Sequence, residues 1–362
     1  MKKLALYFGA FALAMGLLAF PTGPSLSADS GANHRVRNLN FGVSGGNIND
    51  ISRAFCCSGT LGSLVQANGV SYVLSNNHVL ARGDQAVAGE DISQPGLIDT
   101  GCQPTTIVAD FTAAPPLGSN VDAAVAQLRA GLMKATGEIE DTGVISNVAG
   151  TPTVGLAVAK SGRTTGFTTG NISSINTSVS VQYQKGCNQG KKFTVAYTNQ
   201  VVINSSTFSA GGDSGSLIVS NTNANCRQAV ALLYAGSSTS TIGNPIGEVL
   251  SKLSTSLGGG TVSFVGKTCA ASSPNELVSD DPQFVNPSGA AVEKAVKAMR
   301  TREGDLMSRP GVIGVGVGRS DSADQASIVV YVDANAKVKT TLPKRINGVK
   351  VTRIYSEPFV AY

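Results

Sequence analysis

Gly211-Gly212-Asp213-Ser214-Gly215-Ser216 is the stretch on which the reading of this chain turns, because His78 and Asp122 precede it in that order. A serine hydroxyl is a poor nucleophile at neutral pH and needs a base to take its proton. Imidazole is the usual base, and a buried carboxylate fixes its tautomer and steadies the cation that forms. The chain holds only two histidines, His34 and His78. His78 stands in Ser75-Asn76-Asn77-His78-Val79-Leu80, directly after the apolar run Val70 to Leu74. Asp122 opens Val121-Asp122-Ala123-Ala124-Val125-Ala126-Gln127-Leu128, where a carboxylate leads into a small, apolar strand. The spacings are 44 residues (122 − 78) and 92 residues (214 − 122). His34 lies in a polar stretch and reads as exposed and idle.

Together these segments resemble the chymotrypsin-like (trypsin-fold) serine proteases. The resemblance makes His78 the base, Asp122 the orienting acid and Ser214 the nucleophile. The His-Asp-Ser order excludes the α/β-hydrolase and subtilisin arrangements. Asn76-Asn77-His78-Val79 is similar to the bacterial glutamyl-endopeptidase and HtrA-type branches. Val158-Ala159-Lys160-Ser161-Gly162-Arg163-Thr164-Thr165-Gly166 resembles a Gly-rich strand turn in secreted bacterial members such as the streptogrisins. The match covers roughly residues 40–265. It implies an all-β double six-stranded antiparallel barrel, with His78 and Asp122 from the first barrel, Ser214 from the second and a cleft between. The implied activity is that of a secreted serine endopeptidase that cleaves protein or peptide substrates through an acyl-enzyme and needs no cofactor. Its rate should rise between about pH 6 and 8, as an imidazole of ordinary pKa, about 6.5, loses its proton.

Gly211 and Gly212 lack Cβ, so the backbone can turn tightly and aim amides at an incoming carbonyl. The N–H groups of Gly212 and Ser214 are therefore the oxyanion-hole candidates, and losing one such donor typically costs about 10²–10³ in rate. Asp213 is expected to shape the loop. In animal trypsins the equivalent carboxylate pairs with a new N-terminus released by activation. No clear activation site is visible here, and Arg35 and Arg37 mark the conceivable cleavage points. Taken alone, a Gly-Gly-Asp-Ser-Gly cluster is most often only a turn. The ordered His78 and Asp122 lift it above that reading.

Residue types limit the pocket. His78 is already committed, which leaves no second histidine for a glutamyl-specific site. Ser205 to Ala210 contains no acid, and an unpaired substrate cation would be costly to bury there. Tyr234-Ala235-Gly236-Ser237 is expected to pair with extended substrate backbone, with Phe208 filling the pocket. Cleavage after neutral, small or medium apolar residues is the expectation.

Met1-Lys2-Lys3, the apolar run Leu4 to Phe20, Pro21 and small residues read as a signal peptide over residues 1–28, which makes the chain secreted or periplasmic. No stable membrane insertion is expected after its removal. Cys56, Cys57, Cys102, Cys187, Cys226 and Cys269 form an even set, as disulfides in an exported chain would. Six cysteines allow 15 pairings. Cys57–Cys102, Cys187–Cys226 and Cys56–Cys269 are the expected ones. Two scattered histidines and no Cys-x-x-Cys spacing argue against a metal site.

Only 14 % of residues are charged, there are 42 glycines and no tryptophan. Short runs such as Val144–Ser146, Ile172–Tyr183, Lys192–Tyr197 and Ala229–Tyr234 suit antiparallel barrels. The net charge of +5 divides unevenly. Residues 29–284 carry 14 basic and 16 acidic groups, and residues 285–362 carry 12 and 7. That dispersed excess predicts a solvated surface, and no nucleic-acid partner is expected.

The organisation expected is a protease domain over residues 29–270, a polar linker over 271–288 and a small α+β domain over 289–362. In the last, Val292, Val296, Met299 and Leu306 mark one helix face that Pro310 closes. The runs 312–317, 326–332 and 349–354 follow as strands. Gly314-Val315-Gly316-Val317-Gly318 reads as a glycine-bearing strand, because no helix follows to make it a phosphate loop. A docking or autoregulatory role is expected of this segment, which does not read as a PDZ domain. Two other classes of function stay open: a catalytically silent protease fold that binds, and a cell-surface adhesion protein suited to the Ser/Thr/Gly-rich composition.

Overall fold

The computed structural model describes residues 32–53, 55–269, 286–320, 325–338 and 340–361. The expected signal peptide and most of the expected linker lie outside the described residues.

The first nine strands are β1 (Val43–Asn47), β2 (Ile51–Ser52), β3 (Phe55–Cys56), β4 (Gly59–Leu61), β5 (Ser63–Ala67), β6 (Val70–Ser75), β7 (Asp91–Gln94), β8 (Thr106–Ala113) and β9 (Ala124–Leu128). β5 and β6 join through Asn68-Gly69, both at positive φ, the two-residue turn that matches the twist of a hairpin. β4 and β5 are one bent strand interrupted at Gly62. A Cβ at Gly62 would collide with the carbonyl of Gly215, so this glycine lets the first barrel touch the serine loop. Antiparallel pairing runs β1–β4, β5–β6, β6–β9, β9–β8, β8–β7 and β7–β1, which closes a six-stranded ring. Leu64, Val73 and Ala126 share one face of β5, β6 and β9 and belong to its buried core. The short helix α1 (Asn77–Leu80) caps it after β6.

The second ring uses β10 (Ala157–Gly162), β11 (Gly166–Asn171), β12 (Ser174–Gln184), β13 (Lys192–Asn204), β14 (Leu217–Ser220), β15 (Ala229–Gly236) and β16 (Ser240–Pro245). β11 bends into β12, and the ring closes as β10–β11/β12–β13–β16–β15–β14–β10. Its core includes Val158, Ile203, Ile218 and Leu233. At the tip of the long β12–β13 hairpin is α2 (Lys185–Asn188). After β16 come α3 (Ile246–Ser256) and β17 (Ser263–Phe264), which returns to β5 of the first ring. The fold is thus the chymotrypsin-like double barrel.

The remaining elements are α4 (Gly289–Arg300), α5 (Glu303–Met307), β18 (Val312–Arg319), β19 (Ala326–Asp333), β20 (Arg345–Ile346), β21 (Val349–Ser356) and β22 (Phe359–Ala361). The single expected helix is two, parted at Thr301–Arg302, and both end before Pro310. Met299 and Leu306 pack on Val315, Ile328 and Val330. This sheet is continuous with the second barrel, because β18 pairs with β12. The glycine-rich run lies in β18, and a Cβ at Gly316 would collide with Thr177, so the glycines let β12 and β18 approach.

Three expectations need correction. Val144–Ser146 forms no strand; only Ser146 makes an isolated bridge, to Lys267, where the chain crosses between barrels. His34 is fully buried: its Nδ1 donates to the Gly42 carbonyl at 2.7 Å, and Nε2 meets Asp141 at 3.1 Å. The polar residues around it mask a packed first turn. The disulfides are Cys56–Cys102, Cys57–Cys187 and Cys226–Cys269, none of them the expected pairing. Successive residues of extended chain point to opposite sides. Cys56 therefore turns to the first barrel's own loop, while Cys57 turns across to the β12–β13 tip.

Candidate active site

His78 sits in the first turn of α1 at the end of β6, where a strand-to-helix corner lifts its ring into the cleft between the barrels. Asp122 lies just before β9, the neighbour of β6, so adjacent strands deliver both groups to one spot. Nδ1 of His78 is 2.6 Å from Oδ2 of Asp122, and the His78 backbone N–H donates to Oδ1 at 3.2 Å. The carboxylate is sealed from solvent, whereas the ring is 14 % exposed. Asn76 donates to the Asp122 carbonyl at 2.6 Å, and the Asp122 N–H donates to Asn244 Oδ1 at 2.9 Å. That frame holds the acid from both barrels.

A residue that the sequence did not mark completes this carboxylate's shell. Tyr183, near the end of β12, donates its hydroxyl to Asp122 Oδ2 at 2.9 Å. Burial, with the Asp122 charge beside it, pushes the Tyr183 phenol well above its usual value, so it stays a donor. Tyr197 meets Tyr183 at 2.7 Å behind it.

Ser214 occupies the turn before β14, and its Oγ donates to the carbonyl of Tyr234 at 3.2 Å. The loop is held from below: the amides of Asp213, Gly215 and Ser216 donate to Ala210, Leu233 and Asp213 carbonyls. The amides of Gly212 and Ser214 donate to no carbonyl among the described residues. Gly212 has φ +96°. A Cβ there would come within 2.6 Å of Thr164 Oγ1 and 2.8 Å of an Arg163 guanidinium nitrogen, so glycine is required.

Beneath the loop lies a second buried ion pair. Asp213 Oδ2 is 3.4 Å from Nζ of Lys160, and both side chains are fully buried. The same carboxylate accepts from the amides of Thr164, Thr165 and Ala210 and from the Thr165 hydroxyl. Lys160 Nζ also donates to the Gly166 carbonyl at 2.9 Å. Burial lowers the Lys160 ammonium below its usual value, and Asp213 opposes that shift. The sequence signal was present: Lys160 is a lone charge inside the apolar run of β10. Arg163, which follows, forms a two-bond pair with Asp99 at 2.7 and 2.5 Å on the rim.

The cleft is lined by His78, Gly212, Arg163, Tyr183 and Asp50, and by the Cys57–Cys187 bridge. Burial pushes the Asp50 carboxyl up to about 6, against the pull of His78 and Arg82. Phe208 does not line it. Its ring packs among Ile203, Ile218 and Leu233 in the second barrel, because Gly170 opposite leaves room for it there. Tyr234, Ala235 and Gly236 are fully enclosed, the last two paired with β22. Among the described residues no group of three or more metal-ligating side chains occurs. No helix among them is long and apolar enough to cross a membrane.

Solved structures similar to the chain include a glutamic-acid-specific serine protease described as using a histidine triad in substrate binding. It is 19 % identical, covers 62 % of this chain and 100 % of its own, and has a TM-score of 0.43. Protease A of Thermobifida fusca is 16 % identical over 63 % of this chain and 99 % of its own, with a TM-score of 0.42. The alpha-lytic protease homolog N4 is 20 % identical over 63 % and 98 %, with a TM-score of 0.41. No curated protein matches the chain. The profile of peptidase family S64 matches residues 43–256, which is 214 of 362 residues and takes in both barrels with His78, Asp122 and Ser214. The chain belongs to peptidase family S64, and it is a serine-type endopeptidase of chymotrypsin-like fold.

Proposed function

We propose that this endopeptidase works through Ser214, His78 and Asp122, on extended peptides, by way of an acyl-enzyme. Ser214 Oγ attacks the scissile carbonyl; His78 Nε2 takes its proton and returns it to the leaving amine. Asp122 holds the imidazole with Nδ1–H toward itself and steadies the cation that forms. The amides of Gly212 and Ser214 receive the oxyanion. Water then repeats the sequence on the ester. The observation that carries this reading is the double contact of His78 with Asp122, through ring and backbone, which fixes the ring's orientation on the open side of the cleft. To act, the Ser214 hydroxyl leaves the Tyr234 carbonyl for the imidazole. Lys160 takes the place that a released N-terminus takes in animal trypsins, so the serine loop is set without chain cleavage.

Three disulfides, each worth about 2–4 kcal/mol, suit a chain that works outside the reducing cytoplasm. Secretion or export to the periplasm is part of the proposal. A fluorophosphonate probe, applied to the purified chain beside a Ser214→Ala variant, tests it. Labelling that vanishes in the variant is expected. Equal labelling of both, or removal of it only by substitution of another serine, would sink the assignment.

A further inference from the structure

One edge of β15 is shared among three partners. β14 uses it as far as Leu232. The serine loop takes Leu233, whose N–H donates to Ser216 and whose carbonyl accepts from Gly215. The Tyr234 carbonyl holds the Ser214 hydroxyl. The next two residues, Ala235 and Gly236, pair antiparallel with Ala361 and Val360 of β22. On its other side β22 runs parallel to β12, Phe359 opposite Val181 and Val360 opposite Gln182. Phe359 is fully buried, edge-on to Tyr331 with centroids 5.8 Å apart. Ala361 reaches the cleft beside His78 and Gly212.

Three residues therefore carry two ladders and one aromatic anchor, and they run along β15 toward Ser214. A bound extended peptide needs the same things: a strand edge for its main chain and pockets for alternate side chains. We infer that β22 is an internal occupant of the peptide slot, so that the C-terminal segment inhibits the site in cis. Substrate enters by displacing Phe359–Ala361 and taking up the same pairing. This inference rests on the reading of the His78–Asp122–Ser214 cleft as the active site. The peptide class that fits has a bulky apolar side chain where Phe359 sits and a small one where Ala361 sits. The Val360 place is partly open to solvent and selects little.

The test uses the full chain carrying Ser214→Ala, so that binding is read without turnover, and a fluorescent peptide copying residues 355–361. With β22 intact the peptide should bind weakly. Val360→Pro, which cannot keep both ladders, and Phe359→Ala, which removes the anchor, should each tighten binding at least tenfold by anisotropy. Thermal unfolding establishes that the variants are folded, and the milder Phe359→Ala serves if the proline variant is not. Equal affinity in the parent and the folded variants overturns the inference, whatever the reactivity of Ser214. A gain in affinity supports it even if fluorophosphonate labelling of Ser214-intact chains fails with and without Phe359→Ala alike, which would count against the catalytic assignment alone.

Discussion

Asp122 and Asp213 are both sealed from solvent and both face a nitrogen base, yet their surroundings differ. Asp213 is gripped by three amides, a hydroxyl and an ammonium that is itself buried. The ammonium cannot leave without stranding a charge. Asp122 has a phenol and one amide, and its principal partner is a ring with an open face on the cleft. The first carboxylate fixes backbone; the second can respond when the ring changes charge. Burial alone does not separate a clamp from a working acid. The mobility of the partner does.

The sharpest way to break the comparison is Asp122→Asn. An amide cannot hold the working tautomer, so kcat should fall about 10⁴-fold with little change in Tm. A fall below tenfold in steady-state assays would remove Asp122 from the mechanism. Lys160→Met attacks the other pair and should act on stability first. An uncompensated buried carboxylate costs about 3–5 kcal/mol, read as a drop in denaturant midpoint, and labelling of Ser214 should fail with it. Lys160→Met with Asp213→Asn should recover part of the stability, because no charge is then stranded.

Tyr183→Phe sharpens the contrast within the Asp122 shell. Losing one donor to a charged acceptor should lower kcat/KM about tenfold, equivalent to about 1.4 kcal/mol. The same variant should also lower stability by about 1–2 kcal/mol, less than Lys160→Met, because Asp122 and the Tyr197 hydroxyl each lose a buried partner. Asp50→Asn has the smallest effect and a definite sign. Burial raises this carboxyl to about 6, so the folded chain holds the proton more tightly than the unfolded chain between about pH 4 and 6. Stability from this group therefore falls as pH rises through that range and stays low above it. The variant should be more stable than the parent at pH 7.5 and no more stable at pH 4, read from Tm at both.

How much of this was legible depends on what each feature asks of the chain. The barrels announce themselves through short apolar runs and through turns such as Asn68-Gly69. His78, Asp122 and Ser214 stood out because their order is a constraint of the fold, and the first two meet across adjacent strands. The cysteine pairing was not legible, since the neighbours Cys56 and Cys57 look equivalent until the strand sends them to opposite sides. Lys160 was visible as a charge in an apolar strand, but its partner lies 53 positions on (213 − 160) and only the fold joins them. Tyr183 gave no signal, because a tyrosine in a strand usually packs. The three residues of β22 are too few to show a period, and their place is set entirely by β12 and β15.

The pairing of β12 with β18 sets Ser174 opposite Gly318, 144 positions later (318 − 174). During synthesis or export, β12 is therefore complete long before the strand that covers its outer edge exists. An uncovered edge is a site for pairing with the wrong chain. Assembly has a direction for the same reason: both barrels can close while the cleft is open, and the strand that fills it arrives after every element it touches.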